Sequence, residues 1–172
     1  MLLNQLLLSK HNKSTTQQVI NWVGNNQKKF DELMTIVCGS DTILAQRAAW
    51  AMSYIVVEQP LLIQAHILKL LKHIQGKVHP ALKRNTFRFL KEIELPEKFY
   101  SPTIDACFAI ASNPKEPIAV ICFALQTLVK ITKKYPEIKN EVLYLLEIHQ
   151  QNQAPGVQNT IQKIRKALSK LQ

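Results

Sequence analysis

The sequence predicts an all-α fold in which about nine helices form roughly four helical pairs, stacked into a right-handed α-α superhelix. Apolar residues recur with helical periodicity from about residue 16 to the end of the chain. No segment alternates apolar and polar residues, and no Asn-Gly or Asp-Gly turn separates β-branched runs, so strand signals are missing. Prolines and polar pairs interrupt the periodicity at regular intervals and divide it into short helices.

These interruptions predict the helix boundaries in order. A first short helix opens after Ser14-Thr15, where Gln18 completes a capping box, and it ends at Gly24. Ser40-Asp41 is expected to cap a long helix that stops before Pro60. Glycines and prolines punctuate the rest of the chain, and the helices predicted between them cover about 27–38, 42–58, 61–76, 80–95, 97–112, 116–135, 137–152 and 157–171.

The helices recur as pairs. Arg47 and Arg84 open similar segments 37 residues apart, and a further 37 residues leads into the helix predicted at 116–135. Helical pairs at this period are typical of HEAT or armadillo arrays, in which each pair needs neighbours to bury its apolar face. We expect one domain over residues 1–172, with an N-terminal capping segment at 1–26 and repeats at about 27–58, 61–95, 97–135 and 137–171.

Particular segments carry a resemblance to known proteins. Ala45-Gln46-Arg47-Ala48-Ala49-Trp50 resembles the start of a HEAT second helix, and Lys83-Arg84-Asn85-Thr86 does so more loosely. With Asn21-Trp22-Val23-Gly24 and Glu116-Pro117-Ile118-Ala119-Val120, they resemble an uncharacterised bacterial family of HEAT/armadillo-like proteins with no established activity. More distantly, the chain resembles HEAT-like DNA-alkylation-repair proteins. The resemblance implies a superhelix whose second helices line a concave, partner-binding surface.

The charge of the chain bears on its partner. Lys and Arg number 22 against 12 Asp and Glu, which gives a formal net charge of +10. Most of this excess falls in the predicted second helices, whereas the predicted first helices taken together are close to neutral. An anionic partner explains this asymmetry, and a solvated lysine-rich surface is the alternative.

Two groups of basic residues are the candidate anchors for such a partner. Arg84, Arg88 and Lys91 are spaced to share one helix face, and Lys163 and Lys166 share another with Lys170. Arginine pairs with carboxylate or phosphate through two hydrogen bonds. The full set of predicted binding residues is Arg47, Lys83, Arg84, Arg88, Lys91, Lys163 and Lys166.

The sequence carries no recognisable catalytic motif. It has no H-E-x-x-H, no Cys/His cluster, no P-loop and no nucleophile elbow, so we predict no catalytic residues, no metal and no cofactor. Trp50 is a core residue or a possible aromatic contact like those of DNA glycosylases for alkylated bases. One turn later, where such an enzyme needs an acid, stands Tyr54.

We therefore predict a non-catalytic interaction module that binds an acidic protein or peptide. The alternatives are a nucleic-acid-binding protein that uses the same cations on phosphates and, third, an alkylated-base DNA glycosylase. The three cysteines form no C-x-x-C pair and no apolar run is long enough to span a membrane, so we expect a cytoplasmic protein without a membrane partner. The oligomeric state stays open.

Overall fold

The structure, a computed structural model, describes residues 2–10, 12–151 and 154–170. In these residues it contains ten α-helices and two short 3₁₀ turns and no β-strand, which confirms the all-α prediction. The chain divides into two compact units, Met1–Leu95 (unit 1) and Pro96–Gln172 (unit 2). The boundary between them falls between the second and third predicted repeats.

Among its described residues unit 1 contains six helices, and four of them pack around α4. Helices α1, α2, α3 and α6 all contact α4. This central place follows from its sequence, because α4 is apolar on most sides and buries Ala48, Met52, Ile55 and Val56. The helices are α1 (Leu2–Leu8), α2 (Lys13–Val23), α3 (Gln27–Val37), α4 (Thr42–Glu58), α5 (Ile67–Ile74) and α6 (Pro80–Leu90).

The N-terminal segment forms two helices where the sequence predicts one. Leu3 and Leu7 are buried, and α1 packs on α2 and α4. The start of α2 also differs from the predicted capping box, since Asn12 accepts a hydrogen bond from the Thr15 backbone N–H at 2.9 Å. The predicted end at Gly24 is confirmed, and its φ of +52° suits glycine.

Polar caps open the next two helices of unit 1. Asn26 accepts from the Lys29 backbone N–H at 3.1 Å at the start of α3. The predicted cap at Asp41 is confirmed: it accepts from the backbone N–H groups of Ile43 and Leu44, both at 3.0 Å. Each cap satisfies backbone donors that have no partner within the helix.

Helices α5 and α6 are shorter than predicted. Residues 60–66 form turns in which backbone N–H groups bond three residues back, and α3 holds this segment through its side chains. Gln27 donates to the Leu62 carbonyl oxygen at 3.1 Å, and the His66 Nε2 lies 2.6 Å from the Asp31 Oδ1. Helix α6 ends at Leu90 rather than at residue 95, and turns follow it before Pro96.

Unit 2 repeats the paired arrangement. Its helices are α7 (Tyr100–Ala111), α8 (Ile118–Thr132), α9 (Lys139–Ile148) and α10 (Pro155–Leu168), and 3₁₀ turns at Glu97–Phe99 and Pro136–Ile138 precede α7 and α9. Apolar α8 packs against α7, α9 and α10. The His149 Nε2 lies 2.6 Å from the Ala111 carbonyl oxygen and ties the ends of α9 and α7 together. The predicted helix ends at 152 and 171 lie outside the described residues.

In each unit the two second helices contact one another. Helix α4 packs on α6 in unit 1, and α8 packs on α10 in unit 2. The first helices α3, α7 and α9 each pack on a second helix of the same unit. This layering follows from the apolar character of α4 and α8, which need cover on more than one side.

Candidate binding surface

The outer side of α4 carries apolar and aromatic residues in a row. Ile43, Trp50 and Val57 are spaced by seven residues and Tyr54 lies one turn after Trp50, so all four share one helix face. Ile43 is 59% exposed and Val57 is 44% exposed, while both aromatic residues are half-buried. We call these four residues the α4 stripe. It spans about 21 Å at 1.5 Å per residue.

Trp50 and Tyr54 form the centre of the stripe. Their ring centroids lie 6.5 Å apart, with the planes tilted by 52°. Sequence reasoning left open whether Trp50 is core or contact, and the structure places it at the surface with part of its ring accessible.

A pocket of about 220 Å³ lies beside these rings, between α2 and α4. Its walls combine aromatic faces, an aliphatic side chain and hydrogen-bonding groups, and one wall brings an ammonium group. No carboxylate lines it among the described residues. The lining residues are Lys13, Thr16, Gln17, Ile20, Trp50 and Tyr54.

Helix α6 contributes a cation that lies over the Tyr54 ring. The Arg88 guanidinium carbon lies 4.4 Å from the centroid of the Tyr54 ring, a cation–π geometry. The pKa of Tyr54 is lowered, first by its hydrogen bond with Arg88, then by one with Trp50 and by the positive charges of Arg88 and Lys13. The site thus favours negative charge next to the aromatic pair.

Acidic side chains are scarce on α2, α4 and α6. The three helices hold five basic residues and one acidic residue, Glu58, which is the last residue of α4. In unit 1 the first helix α3 differs, because it carries both Asp31 and Glu32. The basic residues are Lys13, Arg47, Lys83, Arg84 and Arg88.

Two of the predicted anchors make contacts within the fold or are buried in it. The Arg47 Nη1 donates to the carbonyl oxygens of Leu7 and Ser9, both at 2.7 Å, and so holds the end of α1. Lys83 is buried, with 8% of its surface exposed. Neither placement suits an anchor for an external partner, because the first side chain serves the N-terminal segment and the second is withdrawn from solvent.

The other predicted anchors of unit 1 lie at or near the surface. Arg84 is exposed on α6, one turn before the half-buried Arg88. Lys91 is half-buried just after α6 and pairs with Glu92, so its charge is already partly balanced. Arg84 and Arg88 therefore remain as the cations of α6 that best suit an anionic partner.

In unit 2 both predicted lysines are exposed. Lys163 and Lys166 lie on α10, which carries no acidic residue. Between them Arg165 donates from its Nη2 to the Gln150 side-chain oxygen at 2.9 Å. Unit 2 also holds a groove of about 500 Å³ beside α7 and α9, which is lined by Phe108, Ser112, Asn140, Glu141, Tyr144 and Leu145.

Sequence reasoning missed part of the surface. Lys13, Gln17 and Ile20 line the pocket from a segment that was expected only to cap the array. The i, i+4 spacing of Trp50 and Tyr54 is visible in the sequence, but the comparison with alkylated-base glycosylases considers Tyr54 only as a position where an acid is needed. The contribution of α2 depends on its packing against α4, which no local pattern reports.

The described residues hold no group of three or more His, Cys, Asp and Glu side chains placed to bind a metal ion. Among the described helices, none combines the length and the apolar character needed to cross a membrane.

The sequence matches the family model for the HEAT repeat domain over residues 3–168. Neither the comparison with curated proteins nor the comparison with solved structures found a match. HEAT repeats generally mediate protein–protein interactions, and they are typically non-catalytic. The match spans nearly the whole chain and agrees with the helical pairs of both units, so this chain belongs to the HEAT repeat domain family.

Proposed function

We propose that the chain is a non-catalytic scaffold that binds an acidic protein or peptide on the face of unit 1 formed by α2, α4 and α6. One observation carries the proposal. Trp50 and Tyr54 are partly accessible at the centre of three helices that hold one acidic residue, Glu58, against five basic residues. A partly accessible aromatic pair beside arginine is typical of the residues enriched in protein interfaces.

The residue types suit protein recognition. Tryptophan, tyrosine and arginine are the residues that most often dominate the binding energy of protein interfaces. Trp50, Tyr54 and Arg88 supply all three in contact, and the pocket of about 220 Å³ beside them accepts one side chain of a partner. The rings lose little side-chain entropy on binding because their neighbours already hold them.

The cations supply specificity for an acidic partner. Arg84 and Arg88 offer forked donors that match carboxylates, and Lys13 adds a charge from α2. Lys163 and Lys166 offer a separate basic contact on unit 2. Exposed charges of this kind speed association and make binding weaken as salt rises.

A nucleic acid is the second candidate, because phosphates also fit these cations and bases stack on aromatic rings. Base excision needs a carboxylate as well, and none of the described residues that line the Trp50 pocket provides one. The proposal is therefore a binding function, and nucleic acid is an outcome of its test.

The test is a capture experiment from native lysate with and without nuclease. Wild type is compared with Arg84→Glu/Arg88→Glu and with a control of equal charge change, Lys28→Glu/Lys72→Glu, whose lysines are exposed on α3 and α5. We expect a protein that survives nuclease, is retained by the control and is lost from the arginine variant.

Two results contradict the proposal. Loss of the captured material on nuclease treatment, together with salt-sensitive binding of duplex DNA by wild type, assigns the surface to nucleic acid instead. Equal capture by the arginine variant and the control shows that the partner binds elsewhere.

A further inference from the structure

The α4 stripe has a shape and a charge setting that identify the kind of partner, given the proposed function. It is about 21 Å long and follows one face of a single helix, on which Gln46 and Arg47 lie between Ile43 and Trp50. Ile43 and Val57 end it, and they are among the most exposed large apolar residues of α4. An apolar row of this form is complementary to the apolar face of another helix.

Two neighbouring helices, α2 and α6, bring positive charges to the row. Lys13 lines the pocket from α2, and Arg88 contacts Tyr54 from α6 with Arg84 one turn before it. An extended acidic strand would place alternate side chains away from the stripe, whereas an amphipathic helix turns one apolar row toward α4 and acidic rows toward α2 and α6. Four turns of helix, about 14 residues, match the length of the stripe.

We propose that the partner presents an acidic amphipathic α-helix that lies along the α4 stripe. Its apolar row packs on Ile43, Trp50 and Val57, with one side chain in the pocket beside Tyr54. Its acidic residues face Lys13 of α2 and Arg84 and Arg88 of α6. The inference rests on the proposed function, since it names the form of the acidic partner.

Two synthetic peptides of about 16 residues and identical composition serve as probes. The first places Leu and Phe at i, i+3, i+4 and i+7 positions among Glu residues, so that they form one face. The second has the same residues in an order that distributes Leu and Phe around the helix. Both carry a fluorescent label, and affinities are measured by anisotropy at physiological ionic strength.

Two double variants locate the site. Ile43→Ser/Val57→Ser removes the ends of the α4 stripe at exposed positions, which spares the core. Leu61→Ser/Leu68→Ser removes two other exposed apolar residues of unit 1, which are 75% and 54% exposed, and is the matched control. Arg84→Glu/Arg88→Glu reports the charge contribution.

We expect the amphipathic peptide to bind wild type at least about tenfold more tightly than the permuted one and to gain helical circular dichroism on binding. The stripe variant removes this preference and the control variant keeps it. Equal binding of both peptides, or a preference that the stripe variant retains, overturns the helical partner. If the helical preference is absent but Arg84→Glu/Arg88→Glu still lowers the affinity for both peptides, the acidic-partner proposal survives. If neither peptide binds wild type, both proposals fail.

Discussion

The guanidinium carbon of Arg88 lies 4.4 Å from the ring centroid of Tyr54 and joins α6 to α4 at the centre of the candidate surface. The two residues are far apart in the chain, and neither belongs to the buried core. The contact holds the aromatic ring in place and lowers the pKa of its hydroxyl. It therefore links the geometry of the surface to a quantity that can be titrated.

We predict that Arg88→Ala raises the pKa of Tyr54, because the hydrogen bond with Arg88 is the largest cause of its lowering. Tyrosinate absorbance during alkaline titration, with Tyr54→Phe subtracted to isolate this residue, measures the change. Arg84→Ala is the control and leaves the titration of Tyr54 close to wild type. An unchanged titration in Arg88→Ala contradicts the assigned contact.

The same contact predicts a pH dependence of stability. A tyrosine whose folded pKa is lowered stabilises the fold above its unfolded pKa, about 10, and this contribution is lost as the pH falls through the folded value. We expect the unfolding free energy of wild type to increase relative to that of Arg88→Ala as the pH rises from 8 toward about 10. Urea denaturation at fixed pH values measures the difference.

Arg47 is predicted to stabilise the N-terminal helix rather than to bind a partner. Arg47→Met keeps the aliphatic stem but removes both hydrogen bonds to the carbonyl oxygens of Leu7 and Ser9. We expect a loss of about 2 kcal/mol in unfolding free energy, and faster hydrogen exchange in α1. Arg84→Met, at an exposed position, changes stability by less than about 0.5 kcal/mol. Unchanged exchange in α1 would show that the carbonyl contacts contribute nothing in solution.

Asn85 is predicted to reduce the stability of unit 1. It is buried, and both polar atoms of its side chain lack a hydrogen-bond partner among the residues that the structure describes. Asn85→Ala removes these groups and improves helix propensity at the cost of a small cavity, so we expect a gain of about 1 kcal/mol. Asn85→Asp places a charge at the same position and is expected to lower stability instead. Thermal and urea unfolding of both variants test the order, and destabilisation by Asn85→Ala contradicts it.

The hydrogen bonds of Asp31 with Gln27 and His66 predict a second pH dependence of stability, at acid pH. Hydrogen bonds from Gln27, at 2.8 Å, and then from His66 lower the pKa of Asp31. A carboxyl whose folded pKa is lowered stabilises the fold above its unfolded pKa, about 3.9, and this contribution disappears as the pH falls through the folded value. Asp31→Asn is therefore expected to be less stable than wild type near pH 6 and equal to it at the acid end.

The effect of Asp31→Asn is small, less than about 1 kcal/mol, because the carboxylate is half exposed. Denaturant unfolding at a series of pH values measures it. Glu32→Gln, an exposed neighbour on α3, is the control and shows no such convergence. A difference between Asp31→Asn and wild type that persists below the folded pKa argues against the assigned origin.

Local pattern was enough to predict most of the helices. Helical periodicity, proline positions and short polar caps act within a few residues, and they located α4, its cap Asp41 and the start of α6 at Pro80. Predicted helix boundaries were wrong where side chains distant in the sequence contact the segment. The turns at 60–66 bond to α3 through Gln27 and Asp31. Periodicity alone therefore predicts the start of α5 at residue 61, whereas the helix begins at Ile67.

The character of the chain as helical pairs with basic second helices was determined by the sequence alone, because charge and periodicity are properties of each helix by itself. Which of these cations are accessible was decided only by the tertiary structure. Whether a side chain on an amphipathic helix is accessible or makes contacts within the fold depends on which elements pack beside it. Arg47 hydrogen-bonds to the end of α1, and Lys83 is buried. Trp50 lines a pocket because α2 packs alongside α4.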